Sequence, residues 1–113
     1  MYTVKGNLLN ISGKQLMFDY EIRIARELGD FVVVLLAIPF GETFLDNVYA
    51  VNRAGEIAWR IQDAGEVYPL KDRLPYEHLH VDETNQVFVS DFYGRRFKAE
   101  PFSGRITGKD FVK

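Results

Sequence analysis

Between residues 15 and 25 the chain reads QLMFDYEIRIA, in which Leu16, Phe18, Tyr20, Ile22 and Ile24 alternate with Met17, Asp19, Glu21, Arg23 and Ala25. A period of two puts the apolar set on one face of an extended strand and leaves the other face wet, an arrangement a helix cannot provide. After Glu27-Leu28-Gly29-Asp30, a turn sequence, comes FVVVLLAI at 31–38, eight apolar residues in succession ending at Pro39. Its β-branched and aromatic content marks a strand covered on both faces. One half-wet strand followed by one doubly covered strand makes β-sheet the expected architecture, and the rest of the sequence is read against that.

Further strand segments follow the same rhythm. NLLNI reaches Ser12-Gly13-Lys14 and closes a hairpin onto the long strand, whereas PFGETFLDN after the apolar run is a loop. VYAVN and EIAWRI flank Arg53-Ala54-Gly55, a tight turn with glycine where a positive φ is needed. The polar connection QDAGEVYPLKDRLP carries Gly65, Pro69 and Pro75 and divides the chain into halves. HLHVD, QVFVSDF, RFKAE and RITG then supply a second strand series, broken by Glu83-Thr84-Asn85, Tyr93-Gly94-Arg95 and Pro101-Phe102-Ser103-Gly104. No segment of helical length sustains a 3.6 period, so helix content should be very low.

The two series align at an offset of 49 residues, matching Ala50 to Ala99, Gly55 to Gly104 and Ile57 to Ile106. NVYAVNRAGEIAWRI resembles the strand–turn–strand portion of a quinoprotein-type β-propeller repeat, with Ala50, Asn52, Gly55 and Trp59 at the recurring small, polar, glycine and tryptophan positions. What the resemblance implies is a blade-like, four-stranded meander. Two such units do not close a ring, and the family's quinone sits in the channel of a closed one, so no cofactor is implied. The expected fold is all-β: eight to nine mostly antiparallel strands in a single domain over 1–113. They form two blade-like meanders at about 15–61 and 77–111, arranged as a sandwich or an incomplete propeller. The expected core comprises Phe18, Tyr20, Ile22, Val33, Leu35, Val48, Ala50, Ile57, Trp59, Val87 and Val89.

Composition limits the function classes. A chain of 113 residues can bury about two-thirds of its surface in one core, and with no cysteine it has no disulfide, thiol nucleophile or thiolate metal site. A net charge of −2 gives no whole-molecule attraction to nucleic acid or anionic membrane, although residues 94–113 hold six basic groups against two acidic ones. The N-terminal residues show no signal-peptide pattern and the longest apolar run is too short to span a bilayer, so a cytoplasmic location is expected. Asn10-Ile11-Ser12 matches a glycosylation acceptor only by pattern.

Three constellations carry candidate chemistry. A strand at 78–82 places His78, His80 and Asp82 on one face, with Leu79 and Val81 on the other, and two imidazoles so spaced can ligate a divalent metal. The segment FYGRRFKAEPFSGR interleaves aromatics with Arg95, Arg96, Lys98 and Arg105, the composition of single-stranded nucleic acid binders. Strand alternation splits it, with Phe97 and Ala99 on one face and Arg96, Lys98 and Glu100 on the other. No serine elbow, phosphate loop or convincing acid–base set occurs. The leading expectation is therefore a non-enzymatic protein without cofactors that binds another protein or itself, as a homodimer. Its long strand at 15–25, free of proline and glycine, is the place for a second chain to add if it lies at a sheet edge. A metal-binding protein or metal-dependent enzyme using His78, His80 and Asp82, and nucleic acid binding through Arg95, Arg96, Lys98 and Arg105, are the alternatives.

Overall fold

The computed structural model describes residues 2–111, folded as eleven strands in three antiparallel sheets with one 3-10 turn, Ala64–Glu66. The N-terminal sheet is β1 (Tyr2–Lys5), β2 (Leu8–Ile11) and β3 (Lys14–Met17). The central sheet is β4 (Ile22–Leu28), β5 (Phe31–Leu36), β6 (Val48–Val51) and β7 (Ile57–Arg60). The C-terminal sheet is β8 (Tyr76–Val81), β9 (Val87–Asp91), β10 (Arg95–Ala99) and β11 (Ile106–Phe111). Every sheet runs in chain order, so both expected four-stranded meanders are present. The strand count exceeds the expected eight to nine because Tyr2–Lys5 pairs with β2 and the segment 15–25 is two strands rather than one.

The doubly covered strand organises the stack. On β5, Val33 and Leu35 face a core shared with the C-terminal sheet, where they join Val48, Ala50, Trp59, Leu79, Val89 and Phe97. Val32, Val34 and Leu36 face a second core closed by Leu9, Ile11 and Phe18 of the N-terminal segment. Each such side chain contributes about 1.5–3 kcal/mol on burial, so β5 is anchored from both sides.

The alternation at 15–25 survives the break in the strand, but its target changes. Leu16, Phe18, Tyr20 and Ile22 pack toward the N-terminal core, whereas Ile24 packs toward the other. The pairing shifts between Ile22 and Ile24, which makes Arg23 a bulge residue, and one extra residue reverses the face of everything after it. The expected core is otherwise met, with two adjustments. Tyr20 and Ile22 are only half-buried, and Ile57 is 48 % exposed. Ile57 pairs with Val51, but no residue of β7 enters the N-terminal core, whose sheet is one strand narrower than the central one.

One turn chemistry recurs. Asn52, Asp82 and Asp91 each use a side-chain oxygen to accept the backbone N–H groups two and four residues on. Gly55, Asn85 and Gly94 take the positive φ that each turn requires at its fourth position. Of the aligned pairs, Gly55 and Gly104 both have positive φ and Ala50 and Ala99 are both fully buried, whereas Ile57 is 48 % exposed and Ile106 is buried. The β10–β11 turn also locks sheets together. The Trp59 indole N–H donates to the Pro101 carbonyl at 2.9 Å, and a Cβ at Gly104 would lie 2.5 Å from the indole ring.

Candidate functional site

The long loops gather at one end of the central and C-terminal sheets. Asn47, wholly buried, fixes this end: its amide donates to the carbonyls of Leu36 and Tyr76, and its carbonyl accepts the Tyr76 N–H at 2.8 Å. The 62–75 connection is tied down by charge. Arg73 bridges Asp46 and Asp63, while Arg95 pairs with Asp91 at 2.7 Å and donates to the carbonyls of Lys71 and Asp72. Burial, partly opposed by nearby Arg73, drives the Tyr76 hydroxyl well above the ordinary tyrosine range. That hydroxyl makes no hydrogen bond of normal geometry with the described residues, although the Arg73 guanidinium lies near it.

These loops leave a cleft of about 500 Å³ lined by Ile38, Pro39, Phe40, Leu74, Pro75 and Phe92, with Arg23 and Glu77 at its wall. Arg23 lies on edge strand β4 and Glu77 on edge strand β8, and they pair at 2.5 Å. Glu77, like Arg23, sits where the pairing register shifts, so a bulge and a charge stand together on each edge. Bulges and charges are the devices by which sheets refuse additional strands. The edge expected at 15–25 to receive a second chain is therefore interrupted after Met17 and guarded at Arg23.

The rim of the cleft is apolar. Phe40 is fully exposed and Phe92, at the tip of the β9–β10 turn, is 81 % exposed, with Tyr93 beside it. The Phe40 loop is held by neighbouring contacts, since the Tyr20 hydroxyl donates to Glu42 and Phe44 packs between Tyr20 and the Arg60 guanidinium. The hydrogen bond to Glu42 is the main cause of a raised Tyr20 pKa. Sequence reasoning did not single out this cleft. Its signal was present in PFGET and DFYG, where a large aromatic stands in a loop that polar residues usually fill.

The candidates read from the sequence are distributed differently. His78 and His80 are exposed on the outer face of β8, as expected. Asp82 is committed to its own turn, accepting from the Thr84 N–H and hydroxyl and the Gln86 N–H, and these bonds, that from Gln86 foremost, lower its pKa. Among the described residues no three His, Asp or Glu side chains are grouped to hold a metal ion. Arg95 is not a free cation, being one of the ties of the 62–75 connection. Arg96 makes a two-pronged pair with Asp110, Lys98 is half-buried, and Arg105 is exposed on the β10–β11 turn. Phe97 is buried while Phe92 and Phe102 are exposed, so the aromatics of the basic segment divide between core and surface.

No helix among the described residues is long and apolar enough to cross a membrane. Searches among curated proteins and among solved structures each found no match to this chain. A family model described as a domain of unknown function, DUF7957, matches residues 1–111, and the chain belongs to that family.

Proposed function

We propose that this is a non-enzymatic binding protein that acts as a symmetric homodimer formed through the loop-end cleft. The observation that carries the reading is the pairing of a 500 Å³ apolar hollow with two exposed phenylalanines, Phe40 and Phe92, on one patch. A two-fold interface needs such self-complementarity, because the same surface must supply both the projection and the recess. The charges do not oppose this, since Arg23 and Glu77 are already paired with each other and Glu42 accepts from the Tyr20 hydroxyl. Two aromatic rings bury about 150–250 Å² each, roughly half of the ~800 Å² per partner in a standard interface, and the surrounding prolines and aliphatics extend the rest. Strand addition at β4 or β8 is disfavoured, because both edges are bulged and charged. The cytoplasmic location expected from the sequence belongs to the same proposal.

Light scattering after size exclusion at micromolar concentration tests this. The wild type should run at twice its 13.1 kDa chain mass. A Phe40→Ser, Phe92→Ser double variant should run as a folded monomer, and Phe102→Ser, which removes an equally exposed ring elsewhere, should remain dimeric. A monomeric wild type, or a double variant that stays dimeric, overturns the proposal.

A further inference from the structure

The sequence presents the histidine pair and the basic segment as separate candidates, but the C-terminal sheet brings them onto one surface. Cross-strand pairing sets His80, Phe88, Lys98 and Gly108 in one row and His78, Ser90, Arg96 and Asp110 in the next. Their inward neighbours Leu79, Val89 and Phe97 are buried, so these rows form the outer face of an open four-stranded sheet. Phe88 sits centrally, with the His80 ring nearly parallel at 6.4 Å between centroids and the Arg96 guanidinium over its face at 5.1 Å.

Beside Phe88 lies a recess of about 140 Å³, lined also by Arg96, Lys98, Gly108, Lys109 and Asp110. Gly108 bears no side chain where a larger residue would fill the row, and this leaves the hollow open next to Lys98. Two cations, Arg96 and Lys98, and one carboxylate flank a space the size of a small anionic group, while Lys109 pairs with inward-facing Phe97 and carries its ammonium over the Tyr68 ring. The Asp110 carboxylate is already engaged by Arg96, which lowers its pKa, so it remains charged while its charge is met.

We infer that this sheet face binds single-stranded nucleic acid, with a base stacked on the Phe88–His80 platform and an adjoining phosphate in the recess beside Lys98 and Arg96. Aromatic platforms next to cations bind single strands with little sequence preference, because every base offers a π-face. A duplex hides those faces, which sets the substrate class. The chain's net charge of −2 predicts that affinity rests on stacking and a few local phosphate contacts rather than on a broad field. This site is separate from the loop-end cleft, and none of its residues lines that cleft.

Fluorescence anisotropy of a labelled oligothymidylate of about 12 nucleotides tests the inference, a length within the usual single-strand site sizes. Saturable binding is expected, with log K falling against log salt at a slope of about −1.4, as about two phosphate contacts dictate. Phe88→Ala and Lys98→Glu should each weaken binding at least about tenfold, while thymidine monophosphate should compete far less well than the strand. Far-UV circular dichroism and Trp59 fluorescence verify that each variant is folded, and Lys98→Glu, a surface change, keeps the test valid should Phe88→Ala unfold. Absent binding at low salt, equal affinity in a folded Lys98→Glu protein, duplex bound as tightly as single strand, or a mononucleotide competing as well as the strand would each overturn it.

Discussion

Substituting Gly104 with alanine tests how the β10–β11 turn is locked to the central sheet. Gly104 has φ +73° and is buried, and an added Cβ would meet Trp59 Cε3 at 2.5 Å and Cδ2 at 2.8 Å. A side chain in the left-handed region costs about 1–2 kcal/mol, less a few tenths recovered from the unfolded chain. Forcing a methyl into a packed aromatic adds about 1–3 kcal/mol, for a total loss of about 2–4 kcal/mol. Gly13→Ala is the matched control, since Gly13 has φ +79° but nothing within 4 Å of its would-be Cβ, so it should lose only the backbone part, about 1 kcal/mol. Urea unfolding followed by the fluorescence of the single tryptophan reads both variants. A Trp59→Phe, Gly104→Ala double variant, followed by circular dichroism, should show a coupling of about 1 kcal/mol, because the smaller ring makes room for the methyl. Equal losses in Gly104→Ala and Gly13→Ala, with no coupling to Trp59, would refute the reasoning.

Other substitutions probe the ties at the loop end. Asn47→Ala leaves two buried carbonyls and one N–H without partners and should cost about 3 kcal/mol or more, measured by urea unfolding; a loss under about 1 kcal/mol contradicts the role given to this side chain. Tyr76→Phe removes a buried hydroxyl without a partner and should leave stability at neutral pH unchanged or about 1 kcal/mol higher. Because burial raises the Tyr76 pKa above the ordinary 10.0, its contribution is fully present below that pH. It is lost as pH rises, since the unfolded chain then releases a proton that the folded chain keeps. Thermal unfolding between pH 9 and about 11 should therefore fall more steeply in the wild type than in Tyr76→Phe, and parallel curves contradict the assignment.

Much of the fold was legible because burial follows a short-range rule. The period-two stretch at 15–25, the doubly covered strand at 31–36 and the turn at Asn52–Gly55 could all be read from neighbouring residues. The division of 15–25 into two strands could not, since Phe18 to Glu21 keep the alternation while the chain passes between sheets, and the bulge at Arg23 arises in the pairing of Ile22 and Ile24 with consecutive residues Leu36 and Leu35 of β5. Ile57 has the same parity as buried Trp59, but the register shifts between Ala50 and Val51, so Ile57 pairs with Val51 on the opposite face and is 48 % exposed. The candidate sites were separated in the sequence for the same reason. His80 and Lys98 become neighbours only through Phe88 on the strand between them, and the cleft draws its walls from β4, β8, two loops and a turn.

The most direct test of the central claim is a distance across the dimer. The chain has no cysteine, so a single Thr43→Cys substitution at the rim of the cleft can carry one nitroxide label, and pulsed dipolar spectroscopy then reports only pairs of protomers. Association through the cleft predicts one well-defined inter-label distance, short compared with the 40 Å long dimension of a protomer and abolished by Phe40→Ser with Phe92→Ser. No dipolar coupling, or a distance beyond 40 Å that persists in the double variant, would contradict it.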